Sequence, residues 1–228
     1  MDSLLQYIKT HVLYLQDLGI DFFPQEQTGR GSGKAGSELL EELFNSMRDC
    51  RRCSLFNGRK NMVFGQGNPD TDLMFIGEGP GEEEDLQGLP FVGRSGQLLD
   101  KIITAMNLDR TKIYIANIVK CRPPGNRNPS EEEIEKCLPF LEKQISIIRP
   151  KVICVLGAVA FNVLAGKKLP ITKNRGKWYE YKGIKMMPTF HPSYLLRNYT
   201  RETRAAVWDD MKEIMKYLKI NNESIENE

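Results

Sequence analysis

The segment Val152-Ile153-Cys154-Val155-Leu156 carries no polar side chain, and it constrains the fold more than any other stretch of the chain. A strand that is apolar on both faces must be covered on both faces, as happens inside a parallel sheet flanked by helices. Two comparable runs precede it, Asp72–Gly77 and Lys112–Val119, the second rich in β-branched residues. Helical patterns follow over Ser95–Met106 and from Asn128-Pro129-Ser130 onward, where Glu131–Glu133 sit in the first turn and suit the helix dipole. Another helix is expected after Gly157 through Leu164, then a hairpin around Trp178–Pro188 and a last helix from Arg201 to Leu218. Strand, loop and helix repeated three times argue for an α/β domain with a central, mostly parallel sheet. Ligands of such sheets sit at the carboxyl ends of strands, where the unusual loops Gly77–Gly93 and Asn117–Asn128 fall.

Ahead of this body, residues 1–25 place Leu4, Leu5, Ile8, Val12, Leu15 and Leu18 at helical spacing, so a helical extension is expected. Residues 26–37 are Gly/Ser-rich and polar, which reads as a flexible linker. Ser37 then caps a helix running to about Arg48. The main domain is placed at residues 38–220, with an acidic tail over 221–228. Within the extension, Gln16…Ile20-Asp21-Phe22-Phe23 loosely resembles the short motif by which repair enzymes hold sliding clamps, although Gly19 stands where an aliphatic anchor belongs. A simple amphipathic helix explains the same residues.

The 228 residues, 40% hydrophobic and 27% charged, describe a globular chain. No apolar stretch approaches the roughly 20 residues that span a bilayer. Asp2, Lys9, His11 and Asp17 break any secretory-signal pattern, so the cytoplasm is the expected compartment and a monomer the expected state. A net charge of +2 announces no nucleic-acid partner, but the charges are segregated. Arg51, Arg52, Arg59 and Lys60 cluster, as do Lys120, Arg122 and Arg127, and Arg197, Arg201 and Arg204. Such segregation could present a basic face to phosphates, but charge alone favours solvated helix faces.

Five cysteines in a reducing compartment do not make a disulfide framework. Cys50-Arg51-Arg52-Cys53 forms a C-x-x-C pair, and Cys121 and Cys137 lie 16 positions apart around a Pro/Gly-rich loop. Four soft ligands serve zinc or an iron–sulfur cluster, and the spacing alone does not choose between them. Cys154, inside the apolar strand, reads as a small core residue.

Four further stretches are specific. Gly77-Glu78-Gly79-Pro80-Gly81-Glu82-Glu83-Glu84-Asp85, Gly88-Leu89-Pro90-Phe91-Val92-Gly93-Arg94-Ser95-Gly96, Asn117-Ile118-Val119-Lys120-Cys121-Arg122-Pro123-Pro124 and His191-Pro192-Ser193-Tyr194-Leu195-Leu196-Arg197 occur in this order with the cysteines. Together they resemble the family 4 uracil-DNA glycosylases, the iron–sulfur branch of that superfamily, over about residues 45–218. The resemblance implies a three-layer α/β/α sandwich around a four-stranded sheet. It implies a [4Fe–4S] cluster on Cys50, Cys53, Cys121 and Cys137. The implied activity is monofunctional excision of uracil from single- or double-stranded DNA by hydrolysis of the N-glycosidic bond. An iron–sulfur DNA-binding module of the same fold without turnover is the alternative.

The resemblance also distributes roles. Cleaving the bond leaves negative charge on uracil, so the largest catalytic contribution comes from a donor at O2, assigned to His191; such donors are worth about 100–1,000-fold in rate. Asn117 offers a carbonyl and an amide to N3–H and O4, a pattern cytosine does not match. Phe91 is the ring on which the extruded base stacks. Glu84 crowds C5, Glu78 is expected to handle the attacking water, and the backbone around Gly79 helps. Leu195, with Leu196, is expected to fill the gap left in the helix. Ser95, Lys120, Arg122, Ser193 and Arg197 are the expected phosphate contacts, with donors at the start of the Ser95-Gly96 helix. The short stretch between Cys121 and Cys137 lacks the inserted, histidine-bearing loop by which a related branch traps its substrate, so turnover is expected.

Overall fold

A computed structural model describes residues 33–220; the proposed extension, clamp motif and acidic tail fall outside the described residues. The expected α/β architecture is present. Its strands are β1 (Gln66–Gly67), β2 (Leu73–Gly77), β3 (Tyr114–Asn117), β4 (Val152–Leu156), β5 (Tyr179–Tyr181) and β6 (Ile184–Thr189). They form one sheet in the order β1-β3-β2-β4-β6-β5. The central four run parallel, and the two short edge strands pair antiparallel, β1 with β3 and β5 with β6. The sheet therefore has six strands where four were expected. The parallel core accounts for the four, and the edges are a two-residue strand and one arm of the Trp178–Pro188 hairpin, too short to register as apolar runs.

The helices are α1 (Gly33–Met47), α2 (Glu82–Gln87), α3 (Arg94–Ala105), α4 (Glu131–Ile148), α5 (Ala158–Ala165), α6 (Ile171–Asn174), α7 (Pro192–Arg197) and α8 (Arg201–Leu218). Ser130 caps α4, at the helix start expected from Asn128-Pro129-Ser130, by accepting from the Glu133 N–H while the Glu133 carboxylate takes the Ser130 N–H. Helix α1 starts at Gly33, inside the stretch expected to be linker. Gly36 lies against Pro69, where an added Cβ would meet the proline at 3.4 Å, so this glycine lets the helix pass close to the loop before β2.

Strand alternation divides the core into two layers. Met74, Ile76, Tyr114, Ala116, Ile153 and Val155 pack toward α1, α4 and α5. Leu73, Phe75, Ile113, Ile115, Val152 and Cys154 pack toward α3 and α8. Every residue of β2, β3 and β4 is buried, which the all-apolar β4 demanded. Cys154 is a fully buried core residue, as expected. No helix among the described residues is long and apolar enough to cross a membrane.

Candidate active site

All four parallel strands deliver residues to one cleft at their carboxyl ends. Gly77 and Asn117 close β2 and β3 at the same register, Gly157 follows β4, and Phe190-His191 follow β6. The cleft has a volume of about 510 Å³, and its lining includes Glu78, Gly79, Glu84, Phe91, Asn117 and His191.

The aromatic floor is held under constraint. Phe91 adopts φ +53°, a left-handed conformation that a bulky side chain avoids. Three neighbours hold it there. Arg110, itself anchored on Asp100 at 2.7 Å, donates to the carbonyls of Pro90 and Phe91. Gly96 gives the Phe91 carbonyl room, since any Cβ there would collide with it. The Glu84 carboxylate accepts from the N–H groups of Val92 and Gly93, both at 2.9 Å, and from Gly81 N–H at 3.1 Å. Glu84 thus ties the acidic loop to the Phe91 loop.

Asn117 is 1% exposed, and its Oδ1 is buried without a hydrogen-bond partner among the described residues. Leaving such an acceptor unpaired costs about 1–3 kcal/mol, so Oδ1 is suited to accept a hydrogen bond from a bound group. Gly77 explains how Asn117 and Phe91 converge. A Cβ on Gly77 would stand 2.5 Å from Asn117 Oδ1 and 2.6 Å from Phe91 Cζ. His191 completes the group, its ring centroid 5.7 Å from that of Phe91.

The protonation state of His191 follows from its contacts. Its Nδ1 accepts the Ser193 N–H at 3.1 Å and lies 2.8 Å from Ser193 Oγ. A neutral ring that accepts at Nδ1 carries its proton on Nε2. Burial first, and the Arg197 guanidinium second, hold its pKa down to about 4 against a weak opposite pull from Glu84, so the ring is neutral at pH 7. Glu78 has its pKa raised by burial, which strengthens its carboxylate as a base.

Most expected residues meet here. Ser95, Ser193 and Arg197 line the same cleft. Arg122 does not; its guanidinium is held by Asn126 at 2.8 Å and by Glu82 at 3.6 Å. Two expectations are overturned. Lys120 is 1% exposed, and its ammonium donates to the Asn117 carbonyl at 2.9 Å and to Gln144 Oε1 at 2.6 Å, so it supports the strand end from inside and reaches no phosphate. Leu195 is 3% exposed and packs into the core, whereas Leu196 is 36% exposed. On a helix one step turns a side chain by about 100°, and only Leu196 faces outward.

Sequence reasoning gave Gly157 no part in the site and Arg127 a place only in a basic cluster. Gly157, at φ +90°, leaves only 3.0 Å between a hypothetical Cβ and His191 Cβ, so it seats the histidine loop; a glycine between an apolar strand and a helix was its signal. Arg127 lines the cleft and is clamped by Glu133 at 2.7 and 2.8 Å.

Cys50, Cys53, Cys121 and Cys137 line one small cavity. They arrive from the segment after α1, which carries both Cys50 and Cys53, from the loop after β3 and from the second turn of α4. Two sulfurs receive donors: Lys120 N–H to Cys137 Sγ at 3.3 Å and Arg59 Nη1 to Cys121 Sγ at 3.2 Å. Burial first, with the neighbouring cysteines adding to it, raises the thiol pKa of Cys53, Cys121 and Cys137, the last to about 11, which disfavours free thiolates. Among the described residues no three or more His, Cys, Asp or Glu side chains are arranged to hold a single metal ion. What the four thiols share is a cavity.

Fold and cleft define the class: an α/β sandwich whose strand ends form a recessed polar slot, floored by an aromatic ring, for a flat heterocycle. Comparison with known proteins makes this particular. The family described as Uracil DNA glycosylase superfamily matches residues 64–212. The type-4 uracil-DNA glycosylase of Thermotoga maritima is 48% identical over 184 residues, covering 80% of this chain and 96% of that protein. That of Sulfurisphaera tokodaii is 42% identical over 186 residues, covering 78% and 84%. That of Archaeoglobus fulgidus is 39% identical over 185 residues, covering 78% and 92%. The chain belongs to the uracil DNA glycosylase superfamily, in its type-4 branch.

Proposed function

We propose that this chain excises uracil from DNA as a monofunctional glycosylase. The unpaired, buried Oδ1 of Asn117 beside the Phe91 ring and the neutral His191 carries this reading. A flipped uracil stacks on Phe91 and offers N3–H to Asn117 Oδ1, while the amide donates to O4. Cytosine presents an acceptor at N3 and a donor amine instead, so both contacts fail and the buried amide stays unsatisfied. His191 Nε2–H donates to O2. As the C1′–N1 bond breaks, its electron pair moves onto the base, and the charge gathering on O2 strengthens that hydrogen bond more than in the ground state. Glu78 orients a water toward C1′ and takes its proton as the new C–O bond forms. Leu196 fills the vacated stack, and Arg197 and Ser193, with the start of α3, meet the phosphates.

The four cysteines fit a [4Fe–4S] cluster. They converge on one cavity, and the N–H and guanidinium donors at Cys137 and Cys121 suit thiolate ligands. When bound, such a cluster cross-links the segment after α1, the loop after β3 and α4, and so supplies structural rigidity. An intact constellation of Asn117, Phe91 and His191 gives no support to a binding module without turnover.

The test is incubation with a uracil-containing oligonucleotide followed by alkali. Strand scission at uracil that falls about 100–1,000-fold in His191→Ala is expected. Tight binding with no base released would overturn the reading.

A further inference from the structure

A second concavity lies across α7 from the cleft. It measures about 240 Å³ and is lined by Arg94, Gln97, Leu98, Lys101, Leu196 and Tyr199. It shares both of its walls with the cleft. On α3, Ser95 lines the cleft while Arg94, Gln97, Leu98 and Lys101 line the groove. On α7, Ser193, Tyr194 and Arg197 line the cleft, Leu195 enters the core, and Leu196 lines the groove. Helix α7 is therefore a ridge between the two, with Leu196 on its groove side.

The chemistry of the groove is unusual for a solvated surface. Tyr199 is 58% exposed, and the Arg204 guanidinium stands 4.8 Å from its ring centroid. An exposed ring braced by a guanidinium can serve as a stacking platform for a base. Arg94 and Lys101 put two cations along the same wall. An apolar wedge, an exposed ring and paired cations complement a nucleobase flanked by phosphates.

We propose that this groove seats the DNA strand opposite the uracil, with the base left unpaired by flipping stacked on Tyr199 and its flanking phosphates near Arg94 and Lys101. The inference rests on the uracil-excision reading, because that reading fixes which side of α7 the flipped nucleotide occupies. Leu196 then stands where that nucleotide leaves the stack, and what lies beyond it is the partner strand. The consequence is a contribution to duplex substrates that single strands do not receive.

The experiment compares Tyr199→Ala with the parent chain on one uracil sequence, presented single-stranded and as a duplex. The ratio of duplex to single-strand kcat/KM is expected to fall about tenfold, the effect of losing one base–aromatic stack. With 2-aminopurine opposite the uracil, fluorescence in the bound duplex should be quenched by the parent chain and brighter with Tyr199→Ala. Tyr199→Phe, which keeps the ring, should behave like the parent. Equal losses on both substrates, no loss on either, or a Tyr199→Phe variant as impaired as Tyr199→Ala would each overturn the proposal. If the parent chain released no uracil, the glycosylase reading would fail separately. The 2-aminopurine signal would still show whether the opposite base reaches Tyr199.

Discussion

Lys120 and Asn117 are joined inside the protein: the lysine ammonium donates to the asparagine's backbone carbonyl at 2.9 Å. The same lysine gives its backbone N–H to Cys137 Sγ at 3.3 Å and its ammonium to Gln144 at 2.6 Å. One residue thus connects the Asn117 strand end to the cysteine cavity.

Lys120→Met is expected to lower stability by about 1–3 kcal/mol, because Gln144 Oε1 and the Asn117 carbonyl lose a buried donor. Urea denaturation measures this. The salt dependence of DNA binding separates a buried lysine from a phosphate contact: its slope should stay unchanged in Lys120→Met and fall by about one in Arg197→Ala. A reduced slope in Lys120→Met would contradict the burial of that side chain.

Gly77→Ala inserts a methyl group at 2.5 Å from Asn117 Oδ1 and 2.6 Å from Phe91 Cζ, so Asn117 and Phe91 must part. Displacements near 1 Å cost about 100-fold in well-oriented sites. A loss of at least about that size in kcat/KM on uracil DNA is expected, and activity near that of the parent would show that the pair does not act together.

Glu84→Ala strands three backbone donors, on Gly81, Val92 and Gly93. Hydrogen bonds to a charged group are worth about 1.5–3 kcal/mol each, so thermal unfolding should shift by at least one such bond. Glu84→Gln, which keeps two acceptor lone pairs on one oxygen, should recover part of the loss. Equal stability of Glu84→Ala and the parent would remove Glu84 from its role as loop clasp.

His191 gives a pH prediction with a definite sign. Its pKa is about 4 in the folded chain and 6.5 for a free imidazole. Between those values the unfolded chain binds more protons, so this residue makes stability rise with pH from 4 to 6.5 and decline as pH falls through that window. The stability–pH slope there should flatten in His191→Gln. In NMR, the His191 ring protons should show no titration step above about pH 5; a step near 6.5 would place the ring in water.

Cys121→Ser and Cys137→Ser test the cluster without relying on turnover. Iron and acid-labile sulfide, with broad visible absorption, are expected in the anaerobically purified parent chain and should be lost or reduced in both variants. Cys154→Ser, in the opposite core layer, should keep the iron. A colourless parent with one bound zinc would replace the cluster by a mononuclear site.

Local patterns sufficed for much of the fold, and for a definite reason. The uniformly apolar β4 has only one kind of environment available to it, so covering helices and a parallel sheet followed from its composition. Capping at Ser130 and the run of strand, loop and helix are likewise near-neighbour effects. The roles of Asn117, Phe91 and His191 were legible through the resemblance of four motifs in order with the cysteines; residue type alone would have put Phe91 in the core. Direction was not legible. Lys120 and Leu195 sit among residues of the right chemistry but point inward, and that choice depends on Gln144, 24 positions away, and on the core under α7. Tertiary packing also decided that Phe91 would be held at a positive φ by Arg110, Gly96 and Glu84, and that Oδ1 of Asn117 would be left without a donor. Chain order sets which groups are available; only the closing of the three layers sets which of them face the cleft, because burial leaves each side chain one permitted side.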